Sequence, residues 1–424
     1  MNGTPGTRAD VDVALTRAFA AEWGRVVATL IRVTGDWALA EDSAQEAFAA
    51  AARRWPADGI PRSPGAWLTT TARNSAVDRL RRASTEARKL REVAAVQELG
   101  GTGTGPDDDG PHDVIPDDRL RLIFTCCHPA LPLEARVALT LRTLCGLTVP
   151  EIARAFGAQE AAMSKRLVRA RQKIAHAGSP YRGPDAAVLP ERLPGVLAVL
   201  YLLFTEGYAA TSGPSVVRET LSAEAIRLTR VLADLLPDGE VLGLLALELL
   251  HDARRPGRVD AAGALVPLEE QDRRTWDQAQ IAEGVDLLRR AHAHTARGVA
   301  GPYLLQAQIA ALHATAPASS GTDWFRIARL YDDLAEVTGS PYVELSRAVA
   351  VGMADGPEAG LLLVGRLRAS GLLEGNHYVP AAEADLLRRA GRTGEAAHAY
   401  RDALRLVTNG AERSYLERRL AEVS

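Results

Sequence analysis

Apolar residues along this chain recur almost everywhere at intervals of three and four, the period of a helix with one buried face. Asp36 is suited to cap a helix, and after it Leu39, Ala44, Ala47, Phe48 and Ala51 keep that spacing. They predict a helix from Trp37 to Trp55, with Glu41 and Asp42 near its positive end. A loop fixed by three prolines follows, WPADGIPRSPG. Leu68, Ala72, Ala76 and Leu80 then mark one face of a helix from Ala66 to Arg91. Further on, LPLEARVALTLRTLCG reads as a helix stopped by Gly146. Thr148 and Glu151 form a T-x-x-E capping box that opens a short helix ending at Phe156. Gly157 supplies a turn, and Met163, Leu167, Ala170 and Ile174, spaced 4-3-4, predict a helix from Gln159 to His176. No alternating stretch of β-branched residues interrupts the pattern, so the expected fold is all-α.

Two segments break the helical pattern. Gly100 to Asp118 is rich in Gly, Pro and Asp, the composition of a flexible linker. Ala177 to Pro190 carries three prolines and should end a helix. The chain is therefore expected to divide into 1–95, a linker at 96–116, a piece at 117–178 and a long piece at 190–424. In the last piece, Ala381 to Leu406 reads as two helices around Gly391-Arg392-Thr393-Gly394, with Ala396, Ala397, Tyr400 and Leu404 at helical spacing. That small-and-aromatic pattern fits a tetratricopeptide-like helix pair, although no strict repeat of about 34 residues runs through the rest.

Composition narrows the classes. A chain of 424 residues, 47% hydrophobic and 24% charged, holds two to four ordinary globular domains. Its longest apolar run, Gly195 to Phe204, is too short to cross a bilayer, which takes about 20 residues. The first residues lack a basic segment followed by an apolar core, and three cysteines cannot build a disulfide framework. A cytoplasmic protein with no membrane partner is expected. The small net charge hides an asymmetry: residues 1–182 hold about 25 Lys+Arg against 21 Asp+Glu, and the remainder about 25 against 32.

The positive charge is concentrated. The helix around Arg73 to Arg91 carries seven basic residues against Asp78 and Glu86. Taken alone, that is also what a solvated face looks like. The helix from Gln159 carries Lys165, Arg166, Arg169, Arg171 and Lys173, with no acid between Glu160 and Asp185. A helix, a short glycine turn, and a second helix with one apolar stripe and an acid-free basic face make the pattern of a helix-turn-helix. Other chemistry is weakly marked. Cys126-Cys127-His128 with Cys145 lacks the usual ligand spacing and a fourth ligand, so no metal is expected. His251, Asp252, Arg254, Arg255, Glu269, Gln271, Asp272, Arg273 and Asp277 form a dense polar group that reads as helix ties or as an acid–base site. No phosphate-binding loop, nucleophile elbow or H-E-x-x-H motif is present.

Three stretches together resemble a known family. Asp36 to Phe48 (DWALAEDSAQEAF), Pro64 to Arg82 (PGAWLTTTARNSAVDRLRR) and Leu147 to Ile174 (LTVPEIARAFGAQEAAMSKRLVRARQKI) resemble, in order and spacing, regions 2 and 4 of extracytoplasmic-function sigma factors of bacterial RNA polymerase. IPDDRLRLIFTCCHPAL, VLYLLFTEGY, LLHDARR and AAEADLLRRAGRTGEAAHAYRDAL look like the subgroup with a long helical C-terminal extension. The resemblance implies that Glu41, Asp42, Gln45 and Glu46 face the polymerase. It implies that Arg62, Ser63, Trp67, Arg73, Asn74, Arg81 and Arg82 meet the minus-ten element, where melting needs unstacked bases to be captured. Trp67 reads equally as a core aromatic. It further implies that Gln159, Ser164, Lys165, Arg166, Arg169, Arg171 and Lys173 meet the minus-thirty-five element, with Arg166 and Arg169 suited to guanine and Lys165, Arg171 and Lys173 to phosphates.

The expected function is that of a sigma factor, with core RNA polymerase and promoter DNA as partners, no cofactor, and no covalent chemistry of its own. A regulatory protein or ligand is expected at the acidic C-terminal module, which is expected to gate activity. The alternatives are a stand-alone helix-turn-helix regulator with a sensing module, and an enzyme built around His251 and Asp272.

Overall fold

The computed structural model of the protein describes residues 8–95, 115, 117–156, 158–176, 189–208, 215–260, 265–295, 299–408 and 410–424. The linker expected at 96–116 lies outside them except for Ile115, and so do the turn at Gly157 and the break at 177–188. Among the described residues the fold is all-α, and the β structure is an isolated bridge between Val259 and Leu265. None of their helices is long and apolar enough to cross a membrane.

The chain forms two compact units, residues 1–207 with 214–231 and residues 208–213 with 232–424. The first begins with three packed helices, α1 (Arg8–Thr34), α2 (Trp37–Asp58) and α3 (Pro64–Ala95). Asp36 caps α2 by accepting from the backbone N–H groups of Ala38 (2.8 Å) and Leu39 (3.0 Å). Gly59, at φ 83°, closes it by donating to the Trp55 carbonyl. Of the face read from the sequence, Ala44, Ala47 and Ala51 are buried, Leu39 is half-buried with Ala40 buried beside it, and Phe48 joins Phe19 and Trp23 in an aromatic cluster. On α3, Leu68, Ala72 and Ala76 are buried and Leu80 is exposed.

Four shorter helices follow, α4 (Asp118–Cys126), α5 (Leu133–Leu144), α6 (Val149–Ala155) and α7 (Glu160–His176). The Thr148–Glu151 capping box forms as expected, with the Glu151 carboxylate accepting from the Thr148 backbone N–H at 2.7 Å. Met163, Leu167, Ala170 and Ile174 are all buried, so α7 is held by one apolar stripe. Glycine makes the junction between α1 and α5 tight. A side chain at Gly24 would strike the Leu144 carbonyl, and one at Gly146 (φ 68°) would strike Phe19 and Trp23.

The first unit also takes in α8 (Leu189–Tyr208), but for Tyr208, and most of α9 (Ser215–Leu235). This differs from a C-terminal piece starting at residue 190. The cause is a set of long-range polar contacts: Arg227 on α9 donates to Asp117 (2.9 Å), Glu224 pairs with Arg119 (2.5 Å), and Arg192 on α8 donates to the Phe124 carbonyl (3.2 Å). Asp118 in turn holds Arg32 of α1 at 3.0 Å.

The second unit contains α10 (Gly239–Asp252), α11 (Gln278–Ala293), α12 (Pro302–Thr315), α13 (Trp324–Thr338), α14 (Pro341–Ala354), α15 (Pro357–Ala369), α16 (Tyr378–Arg389), α17 (Thr393–Leu406) and α18 (Gly410–Ala421). Neighbours in sequence pack together, as in stacked helical repeats. Gly391 (φ 75°) turns α16 into α17, and Ala384, Leu387, Ala396, Ala399, Tyr400 and Ala403 form the core beneath that turn.

Candidate nucleic-acid interface

A helix that reads a groove must bury one stripe and leave the opposite face free of acids. On α7 the apolar stripe is covered, and Gln159, just ahead of it, Ser164, Lys165, Arg169 and Lys173 are exposed; the acid Glu160 stands at its first residue and Val168 is a large apolar side chain left exposed. Two of its candidates are engaged. Arg166 pairs with Glu134 at 3.0 Å on the surface. Arg171 pairs with Glu41 of α2 and lies 5.7 Å from the centre of the Trp37 ring.

The loop after α2 and the start of α3 display a second basic surface. Arg62, Ser63, Arg73, Asn74, Arg81 and Arg82 are all exposed. Trp67 is half-buried, edge-to-face against the buried Trp55 with ring centres 5.8 Å apart. One side of its ring therefore serves the core, and the remainder is accessible.

The polar residues of α2 separate into two groups. Asp42, Gln45 and Glu46 are exposed. Glu46 accepts from Ser75 and from Arg79 (2.5 Å), which holds its carboxyl below the usual range. Glu41 is 6% exposed, between Arg171 and Arg142, the latter at 3.5 Å. Its burial outweighs both guanidiniums and raises its pKa above the ordinary glutamate value. Sequence reading missed this contact because the partners are 130 positions apart.

The candidates for metal and acid–base chemistry find structural partners. Cys126 and Cys127 are fully buried, and burial pushes the Cys127 thiol up to about 12. Among the described residues, no group of three or more His, Cys, Asp or Glu side chains is arranged to hold a metal. His251 packs on Tyr208 with ring centres 5.5 Å apart, whereas Asp272 is exposed and binds the Arg274 side chain at 2.8 Å.

Residues 19–86 match the model of sigma-70 region 2, and residues 121–174 match that of sigma-70 region 4. The chain thus carries sigma-70 regions 2 and 4. Residues 192–292 match a family of unknown function, DUF6596. An uncharacterised protein of Rhizobium meliloti (strain 1021) is 42% identical over 97% of this chain and 95% of its own length. A probable ECF RNA polymerase sigma factor, SigI, of Mycobacterium tuberculosis (strain H37Rv) is 29% identical over 38% of this chain and 54% of its own length. No solved structure matches. The region 2 match thus runs from residue 19 within α1 to residue 86 within α3, and the region 4 match from residue 121 within α4 to residue 174 within α7.

Proposed function

We propose that this sigma factor binds core RNA polymerase through the exposed polar face of α2, and reads a promoter at two places. The loop at Arg62–Ser63 and the exposed face of α3 would capture the opened minus-ten element. The exposed face of α7 would lie in the major groove at the minus-thirty-five element. The observation that carries this reading is that both basic surfaces are exposed, on α7 opposite a covered apolar stripe and on α3 opposite the buried Leu68, Ala72 and Ala76.

Reading both elements requires the two regions to part. The elements lie about 25 base pairs apart by name, or about 85 Å of duplex at about 3.4 Å per pair. Here α2 and α7 are joined by the Glu41–Arg171 pair. The 96–116 segment has the length to permit separation, since 21 residues extend to about 70 Å. Separation exposes Glu41 to the polymerase and Arg171 to the DNA backbone at the same moment.

A stand-alone operator binder needs neither region 2 nor polymerase. Electrophoretic shift with DNA selected from a random pool separates the two readings. The sigma-factor reading predicts a sequence-specific complex that forms with core polymerase and not with the chain alone. Specific binding by the chain alone, indifferent to polymerase, would instead establish the regulator.

A further inference from the structure

Two motifs that promoter reading leaves unused meet in the second unit: Tyr208, which ends VLYLLFTEGY, and the LLHDARR segment at the end of α10. Arg258 lies 3.8 Å from the centre of the Tyr208 ring and donates to the Tyr208 carbonyl. Arg254 donates to the Tyr208 hydroxyl at 3.3 Å and is 3.3 Å from His251 Nδ1. Trp276 joins the group, with Arg254 5.9 Å and Arg273 4.8 Å from its ring centre. Arg273 also donates to the carbonyls of His313 (2.5 Å) and Ala316 (2.7 Å) at the end of α12. We propose that Arg254, Arg258 and Arg273 form a binding site for the oxyanion group of a small ligand, a phosphate or a carboxylate. This inference is independent of the sigma-factor reading.

The charge balance points to an anion. Among the described residues no carboxylate lies within ion-pair distance of these three guanidiniums, and the nearby acids are committed elsewhere. Asp252 takes Arg255 and Gln280, Asp272 takes Arg274, and Asp277 caps α11. The C-terminal ends of α8, α10 and α12 supply about −0.5 each, or about −1.5 against three full positive charges. Capping of those helix ends offsets about half of the cluster's charge and leaves the rest unbalanced.

Donors also remain unused. The Nε of Arg254 and the indole Nε1 of Trp276, a residue only 3% exposed, are buried without a partner. Buried donors are almost always satisfied, by protein, water or ligand. His251 and His313 stay neutral: burial, followed by the neighbouring arginines, lowers them to about 3 and about 4. The planar guanidinium fork matches two oxygens of a phosphate or carboxylate better than a point charge does.

The test is calorimetric titration of the full chain with inorganic phosphate and, separately, with succinate, at constant ionic strength set by chloride. Saturable binding of either anion supports the site and identifies which oxyanion it takes. Arg258→Gln should weaken that binding at least about tenfold, whereas Arg274→Gln, outside the cluster, should leave it unchanged. Should Arg258→Gln fold poorly, Arg254→Lys keeps the charge, loses the fork, and should weaken binding in the same direction. Absence of saturable binding by both anions, or equal binding by the cluster variants, overturns the proposal and leaves these arginines as helix caps.

Discussion

The Glu41 carboxylate on α2 accepts directly from the Arg171 guanidinium on α7, so one ion pair ties a helix of region 2 to a helix of region 4. Arg142 of α5 approaches the same carboxylate at 3.5 Å. A buried charge stripped of its partner is costlier than the pair is stabilising. Replacing Glu41 by Ala should therefore destabilise the first unit by about 1–3 kcal/mol in urea unfolding, because Arg142 and Arg171 lose their acceptor. Adding Arg171→Ala should recover part of that loss, and a strictly additive double variant would show that the two residues do not interact.

The same residue sets a pH dependence. Burial raises the Glu41 pKa, so the folded chain holds its proton more tightly than the unfolded chain does. Stability from this group is full below about 4.5 and is lost as pH rises through the folded value. Glu41→Gln cannot titrate and should flatten the slope in that window. An unchanged slope would remove Glu41 as its source.

In the second unit the sign is opposite. His251 and His313 titrate at about 3 and about 4 when folded and at about 6.5 when unfolded. Between those values the unfolded chain binds more protons, so stability falls as pH drops from about 6.5 toward 4. Thermal unfolding should register up to about two protons in that range. His251→Gln should remove close to one of them.

Which parts of this were legible in the sequence follows from the range of the interactions. The Asp36 cap, the Thr148–Glu151 box and the 4-3-4 stripe of α7 depend on neighbours within a few residues, and all three form. The exposure of Lys165, Arg169 and Lys173 followed from that stripe. Contacts between distant segments carry no local pattern. Nothing near Glu41 marks it as buried against Arg171, and nothing in α9 marks Glu224 and Arg227 as partners of Arg119 and Asp117. The proline-rich break before Leu189 suggested a domain boundary, whereas by packing residues 189–207 and 215–231 group with the first unit.

That shift has an experimental consequence. A chain ended at Pro190 loses Arg192, Glu224 and Arg227, and its first unit should melt at a lower temperature than a chain ended at Val231. Equal melting of the two would mean that α8 and α9 contribute nothing to the first unit.

On α7, Arg169 and Lys173 are both exposed yet should behave differently. Arg169→Ala should relax base preference at one promoter position by about 1–3 kcal/mol. Lys173→Gln should weaken binding to all sequences alike and lower the salt slope by about one. Identical effects of the two changes would mean that α7 makes phosphate contacts alone.

Run-off transcription with core polymerase on a selected promoter is the most direct measurement of what this chain does. The account predicts a transcript of defined start that requires both the chain and the polymerase, and that disappears when Arg81 and Arg82 or Arg169 and Lys173 are reversed in charge. Polymerase and chain together yielding no start above background, on any selected promoter, would contradict it.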